Sequence, residues 1–390
     1  MNLFEKFYGT SEDYFASKSC GDTAREIAHQ PAMWRALCGV LQESKGAIAD
    51  FLSTVGPLSG LRIITTGAGS SGFVGQAVAG FAAQNSGVFC EAIHTTDIVS
   101  APDACLADVP TLLISFARSG NSPESEGAVR YARQRIKQLY EVAIVCDGGS
   151  KLSVTTRESA NSLVLVMPEG TNDKGFAMTS SVSCMTLAGF ALLNADRIDE
   201  ITKDIAALAD IVEAQGLAMS ESAKQCTTWG FERAWYMGSG PLTALVREGA
   251  LKMMELTNGA VVAGHNSSTE FRHGPKTVMN PKTLTVHFIS NVPFTAQYDV
   301  DLLNQLYEES DGYKVVALHD AKSPATSHLN IAYTTNYGFG GDICVGIHGL
   351  VFMQLLSMFT SLALGVTTDN PSPSGLVNRV VQGVTVYNLN

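Results

Sequence analysis

Small hydroxyl side chains crowd into two glycine-broken turns of this sequence. GAGSSG (67–72) closes the apolar run LRIITT, and SFARSGNSPES (115–125) closes the run that begins TLLI. Glycine permits a tight turn and a close backbone approach, while Ser70, Ser71 and Ser115 add hydroxyls. In the second segment Ser119, Gly120, Asn121 and Ser122 are small and turn-prone, and Pro123 suits a first helical position. Ser122 is then the N-cap of a helix with Glu124 in its first turn. A helix start offers unpaired N–H groups and the positive end of a dipole, which favour a phosphate monoester. An ordinary serine-capped helix would use the same residues. A third segment, EGTNDKGFAMTSS (169–181), brings Thr171, Ser180 and Ser181 after the strand-like SLVLVM, where they are expected to finish the polar pocket. It has no P-loop lysine, so nucleoside triphosphate chemistry is not indicated.

A second concentration of chemistry is ionisable. GSGPLTALVREGALKMMELTNG (238–259) reads as a turn and a long helix carrying Glu248 and Glu255. AGHNSSTEFRHGPKTV (263–278) follows, with His265, Glu270, Arg272, His273 and Lys276 gathered in a chain only 16% charged. Gly274-Pro275 after His273 reads as a helix end or tight turn that projects the imidazole. A metal on His265 and His273 is a weaker reading, because their spacing of eight comes without a clear carboxylate partner. GAGSSG also satisfies the G-x-G-x-x-G dinucleotide fingerprint literally. The acidic residue that fingerprint needs about 20 positions on has only Glu91 as a candidate, and the serine density points elsewhere.

Apolar runs alternating with amphipathic segments predict an α/β protein. Strands are expected at 61–67, 111–116, 141–147 and 162–167, and helices at 72–85, 123–140 and near 151–159. Strands so uniformly apolar suit a parallel sheet covered on both faces. The pattern then repeats: GAGS at 67 returns as GSGP at 238, TLLISF at 111 as TLTVHF at 283, and VAIVCD at 142 as VVALHD at 315. Three matches in one order, at offsets of 171, 172 and 173, predict two copies of one unit. The expected division is a helical segment 1–39, a first domain 40–195, a helical linker 196–214, a second domain 215–368 and an extended tail 369–390. Ligands of open parallel sheets collect at the carboxyl ends of the strands, where the hydroxyl-rich turns fall.

The 390 residues carry a formal charge of −11 and no basic block, which argues against nucleic acid as a partner. Eight cysteines without a CxxC pair suit reduced thiols, not a disulfide scaffold or a structural zinc site. The N-terminus lacks a signal-peptide pattern, so a cytoplasmic location is expected. Residues 343–366 hold no Lys, Arg, Asp or Glu, long enough for a membrane span. His348, Gln354 and the absence of a positive flank favour a buried core helix instead.

These residues resemble those of the tandem sugar-isomerase-domain (SIS) family, and within it the bacterial galactosamine-6-phosphate deaminase/isomerase group. The resemblance runs over nearly the whole chain through HQPAMW, TGAGSSGF, LLISFARSGNSPES, KGFAMTSS, ALKMMELTNG, FRHGPK and DNPSPSGLVNRVVQG. It implies two three-layer αβα sandwiches with mostly parallel sheets. It implies a phosphosugar held by Ser70, Ser71, Ser115, Ser119, Asn121, Ser122 and Thr171, a catalytic glutamate at Glu255 and a ring-opening histidine at His273. Arg118, Glu270, Arg272, Lys276, Arg379 and Gln382 are candidate accessory groups. A homodimer with its site near the subunit interface is also implied, and no metal or organic cofactor. The isomerase half of glucosamine-6-phosphate synthase, which shares this fold, ends in a tail lysine that forms a Schiff base with a ketose; here Gln382 or Arg379 falls near that position, which argues against a lysine imine.

The reaction so implied converts D-galactosamine 6-phosphate to D-tagatose 6-phosphate and ammonia. A plain aldose–ketose isomerase needs the same proton transfer, and sequence does not separate the two. A phosphosugar sensor is a third reading; the duplicated domain, the acidic total and the lack of a basic recognition helix count against it.

Overall fold

The apolar runs do become parallel strands. The computed structural model describes every residue except Met1, 323–324, 334–336, Gln382 and Asn390. The accessory candidate Gln382 therefore lies outside the described residues. The chain opens with helices α1 (Leu3–Tyr8), α2 (Glu12–Ala16), α3 (Gly21–Ala28) and α4 (Gln30–Val55). Pro31 is the second residue of α4, where its missing N–H costs no helical bond.

The first α/β repeat runs β1 (Arg62–Thr66), α5 (Ser70–Ser86), β2 (Glu91–Ala92), α6 (Thr95–Ser100), α7 (Pro102–Cys105), β3 (Thr111–Ala117), α8 (Pro123–Arg135), β4 (Leu139–Val145), α9 (Lys151–Arg157), β5 (Ser162–Val166) and α10 (Ser180–Leu193). The second follows as α11 (Ile198–Thr227), β6 (Arg233–Gly238), α12 (Leu242–Leu256), β7 (Val262–Asn266), α13 (Ser268–Phe271), β8 (Thr283–Phe288), α14 (Pro293–Glu308), β9 (Lys314–Asp320), β10 (Leu329–Tyr333) and α15 (Gly341–Ala363). The strand orders, β2-β1-β3-β4-β5 and β7-β6-β8-β9-β10, are the same doubly wound order, and every pairing is parallel.

Register makes the duplication concrete. Ile64 faces Leu113 in the first sheet, and Trp235 faces Thr285 in the second, at the offsets the sequence repeat gives. The third match slips by one residue: Ile114 faces Val142, whereas the equivalent Val286 faces Val316.

One local expectation fails for an identifiable reason. The helix read as 123–140 stops at Arg135, because Leu139 and Tyr140 are drawn into β4 opposite Thr111 and Leu112. Tertiary pairing there overrides local pattern. The segment 263–266, to which the sequence pattern gives no element, lies in strand β7. Its Gly264 is a packing glycine, since a Cβ there would stand 2.3 Å from the Trp235 ring. The segment 196–214 is the first half of the 30-residue α11, preceded by a short 3₁₀ turn.

Two compact units result. One comprises 32–173, 180–203 and 375–390 and holds the first sheet; the other comprises 1–31, 174–179 and 204–374 and holds the second. The first sheet's core gathers Ile64, Leu113, Ala143 and Val145 with Ala128, Val129 and Ala132 of α8. The second gathers Met237, Val315 and Ala317 with Leu302, Leu303 and Leu306 of α14 and Phe271 of α13. α15 is long and apolar enough to cross a membrane, but its apolar window is wholly buried, as the core-helix reading expects. The eight cysteines are free thiols.

Candidate functional site

In the first-sheet unit, the loops after β1 and β3 flank the point where strand order reverses, the usual ligand crevice of this topology. The chain leaves β1 through 67–69 and enters α5 with Gly69 at φ 55°. A Cβ on Gly67 would lie 2.4 Å from the Ser71 carbonyl carbon, and one on Gly72 2.2 Å from His94 Nδ1. Those glycines thus serve close packing. Glu91, the residue a dinucleotide would need, sits at the start of β2 and is paired to Arg62 through both oxygens at 2.7 Å.

Ser70 and Ser71 are buried at the start of α5, and Ser115 is buried within β3. Past β3, Gly120 adopts φ 60°, and a Cβ there would sit 2.3 Å from Ser150 Oγ. Its carbonyl accepts from Leu152 N, and Asn121 Oδ1 accepts from Lys151 N at 3.1 Å, so α9 braces this loop from the side. Ser119 Oγ accepts from Asn121 N at 3.4 Å. Ser122 is the N-cap of α8, accepting from Ser125 N at 3.4 Å with Ser125 Oγ at 2.8 Å. Thr171 is fully buried and donates to the Pro168 carbonyl at 2.8 Å, which leaves its oxygen able to accept.

Ser180 and Ser181 are a different matter. The Asp173 carboxylate accepts from the N–H and Oγ of both, at 2.5–3.1 Å, and caps α10 from within. They do not complete a pocket for an outside anion, as the sequence suggested, because an internal carboxylate holds that helix start. Arg379 of the tail donates to the Asp173 carbonyl at 2.8 Å and to Asn172 Oδ1 at 3.0 Å, and Arg118 donates to the Arg379 carbonyl at 2.7 Å. Both arginines fasten the tail beside these loops. Thr66 Oγ1, Thr95 Oγ1 and Glu124 Oε2, at or just past the tips of β1, β2 and β3, are buried with no hydrogen-bond partner. Buried polar atoms are normally paired, so orphans collected at one end of a sheet mark a place where a polar ligand would satisfy them.

The second-sheet unit holds the ionisable residues. On α12, Glu248, Lys252 and Glu255 fall at i, i+4 and i+7 and share one face. Lys252 is fully buried, its Nζ 2.5 Å from Glu255 Oε2 and 3.2 Å from Glu248 Oε1. Burial alone would depress the lysine; the two carboxylates outweigh it and hold the ammonium above its ordinary range. Glu248 is buried, whereas Glu255 keeps about a quarter of its side chain exposed and can reach a ligand. Lys252 was not singled out from the sequence, although its position between two glutamates on one helix face was a legible signal.

His273 is exposed just past α13, its N–H bonded to the Glu270 carbonyl at 2.9 Å, with Gly274 at φ 122° after it. Glu270 closes a capping box with Ser267. Arg272 donates to Gln305 Oε1 at 3.0 Å, and Lys276 to Glu309 Oε2 at 2.5 Å. These three accessory candidates brace the segment that carries His273. His265 lies within β7, its imidazole pushed toward the neutral form by burial and by Arg247, against an opposing pull from Glu270. Among the described residues no group of three His, Cys, Asp or Glu side chains is placed to hold a metal ion.

A doubly wound α/β unit present twice, with hydroxyl-lined strand tips in its first copy, defines a class, and the SIS domain family matches residues 59–195. D-galactosamine-6-phosphate deaminase of Escherichia coli is 38% identical over 370 residues, covering 94% of this chain and 95% of that protein. The chain belongs to the galactosamine-6-phosphate deaminase family. Its fold matches a solved structure from Clostridium novyi NT with a TM-score of 0.92, at 36% identity over 98% of both chains. It also matches that of tagatose-6-phosphate ketose/aldose isomerase from Escherichia coli with a TM-score of 0.85, at 34% identity over 94% of this chain and 96% of the other.

Proposed function

We propose that the protein is an enzyme that converts D-galactosamine 6-phosphate to D-tagatose 6-phosphate and ammonia. The observation that carries this reading is Glu255, a partly exposed carboxylate held at 2.5 Å by the buried Lys252 ammonium on the same helix. Ser70, Ser71, Ser115, Ser119, Asn121, Ser122 and Thr171 bind the phosphate, which supplies remote binding energy to orient the reacting carbons. His273 moves a proton between the anomeric hydroxyl and the ring oxygen, opening the sugar. Glu255 takes the proton from C2 and returns it to C1 through an enolamine. Water then adds at C2 of the resulting ketimine, and ammonia leaves as the ketose forms. Residues 40–195 act in this scheme as the phosphosugar domain and 215–368 as the domain bearing the proton-transfer groups.

The test is simultaneous detection of ammonia and ketose phosphate from galactosamine 6-phosphate, with Glu255→Gln as the control. Ketose formation from an amine-free aldose phosphate, without ammonia from the amino sugar, would favour the simple isomerase, a reading the name of the Escherichia coli structure supports. We also propose a homodimer with the site near the subunit interface, which light scattering and interface-directed cross-linking would check.

A further inference from the structure

The strand-tip position of the second sheet is already filled. Asp299, on α14 and fully buried, accepts from Ser239 Oγ at 2.5 Å, Ser268 Oγ at 2.5 Å and Ser290 N at 3.1 Å. These donors come from the chain just past β6, β7 and β8, the strands equivalent to β1, β2 and β3. Ser268 N also reaches Ser239 Oγ at 3.4 Å, which ties two of the loops to each other. Nearby, Asp342 at the start of α15 accepts from Ser290 Oγ at 3.2 Å and Asn291 N at 2.8 Å. The copy of the fold that bears Glu255 thus supplies its own anions where the first copy presents hydroxyls.

We propose that Asp299 is a positioning residue: an internal carboxylate that takes the place of a bound anion and fixes the His273 segment relative to the entry of α12. Ser239 lies just before α12, whose far end carries Glu255, and Ser268 opens α13, which leads to His273. α14 reinforces the mount along its length. Phe271 is buried against Leu302, Leu303 and Leu306, Gln305 holds Arg272, and Glu309 holds Lys276. The helix that carries Asp299 thus holds the segment around His273 at Ser268, Phe271, Arg272 and Lys276. The inference rests on the deaminase reading for its kinetic consequence, though not for its geometry.

The test is Asp299→Ala in the full-length chain, with formate as a small carboxylate able to enter the space left. The expected kcat for ammonia release falls about 100-fold, the scale on which a displacement of ~1 Å acts, while KM stays within about twofold because the phosphate is bound elsewhere. Formate then raises both kcat and the thermal midpoint of Asp299→Ala in a saturable way, and raises neither in the wild type. An unchanged kcat, a loss confined to KM, or formate restoring the midpoint but not kcat would overturn the proposal. If Asp299→Ala does not fold, Ser268→Ala removes a single donor. A drop of about tenfold in kcat at constant KM supports the mount, and no drop refutes it. A wild-type chain that releases no ammonia would remove the deaminase reading, and the mount would then stand or fall on the formate-dependent thermal shift.

Discussion

The two sheets share strand order and most of their register, yet their carboxyl ends have taken opposite characters. The first offers serine and threonine hydroxyls, a capped helix start and orphaned polar atoms at the tips of β1, β2 and β3. The second closes the corresponding place with Asp299 and Asp342 and gathers Glu248, Lys252, Glu255 and His273 on the segments between its strands. A duplicated fold therefore need not duplicate its ligand. One copy can leave polar groups open at its strand tips while the other saturates its own donors and carries ionisable side chains, since backbone N–H groups at strand tips must be satisfied from one source or another.

The sharpest way to break this division is Glu255→Gln. If the second copy supplies the proton-transfer group, ammonia release falls about 10³-fold with KM within about threefold. A matching rise in KM would assign Glu255 to binding and blur the contrast.

Next in size is Lys252→Met, which removes the buried ammonium between the buried Glu248 and the partly exposed Glu255. Stability falls by about 3–5 kcal/mol in urea unfolding, and adding Glu248→Gln restores part of it. The lysine is held above its ordinary range, so the folded state binds its proton more tightly than the unfolded chain does. Its stabilisation is complete below about pH 10.4 and fades only as the pH rises through the folded value, which alkaline unfolding would follow.

Acid separates the two units. His287 and His348 are fully buried in the second-sheet unit, and burial pushes them down to about 3 and about 4. Below about pH 6.5 the unfolded chain takes up protons that the folded unit refuses. Each histidine then costs about 1.4 kcal/mol per pH unit until its folded value is reached. Hydrogen exchange at pH 4.5 is expected to show β8 and α15 losing protection before β1 and β3, and His348→Leu to reduce the gap.

Gly120→Ala probes the open copy, because a side chain must accept φ 60° and displace Ser150 Oγ. The cost of about 1–3 kcal/mol should emerge as a raised KM and weaker inhibition by inorganic phosphate, with kcat least affected. The smallest effect is expected of Glu91→Gln. Glu91 is about half exposed where it meets Arg62, so stability changes by less than about 1 kcal/mol and turnover is unaffected.

The sequence carried the fold class and the duplication, because parallel strands buried on both faces must be apolar throughout and glycine turns recur at fixed distances. It carried the Ser122 cap as well, since Pro123 and the run of small polar residues encode that helix start locally. β7 was hidden because His265, Gly264 and Asn266 mimic a loop, and Gly264 is explained only by the Trp235 ring beside it.

Side-chain allegiance was decided in three dimensions. Ser180 and Ser181 read in sequence as pocket hydroxyls like Ser70 and Ser71, yet Asp173 caps them, and the accessory candidates Arg272 and Lys276 are held by Gln305 and Glu309. Which residues are placed along the chain follows from periodicity and turn chemistry, both local. Which donor meets which acceptor depends on partners tens of residues away, and that pairing exists only once the chain has folded.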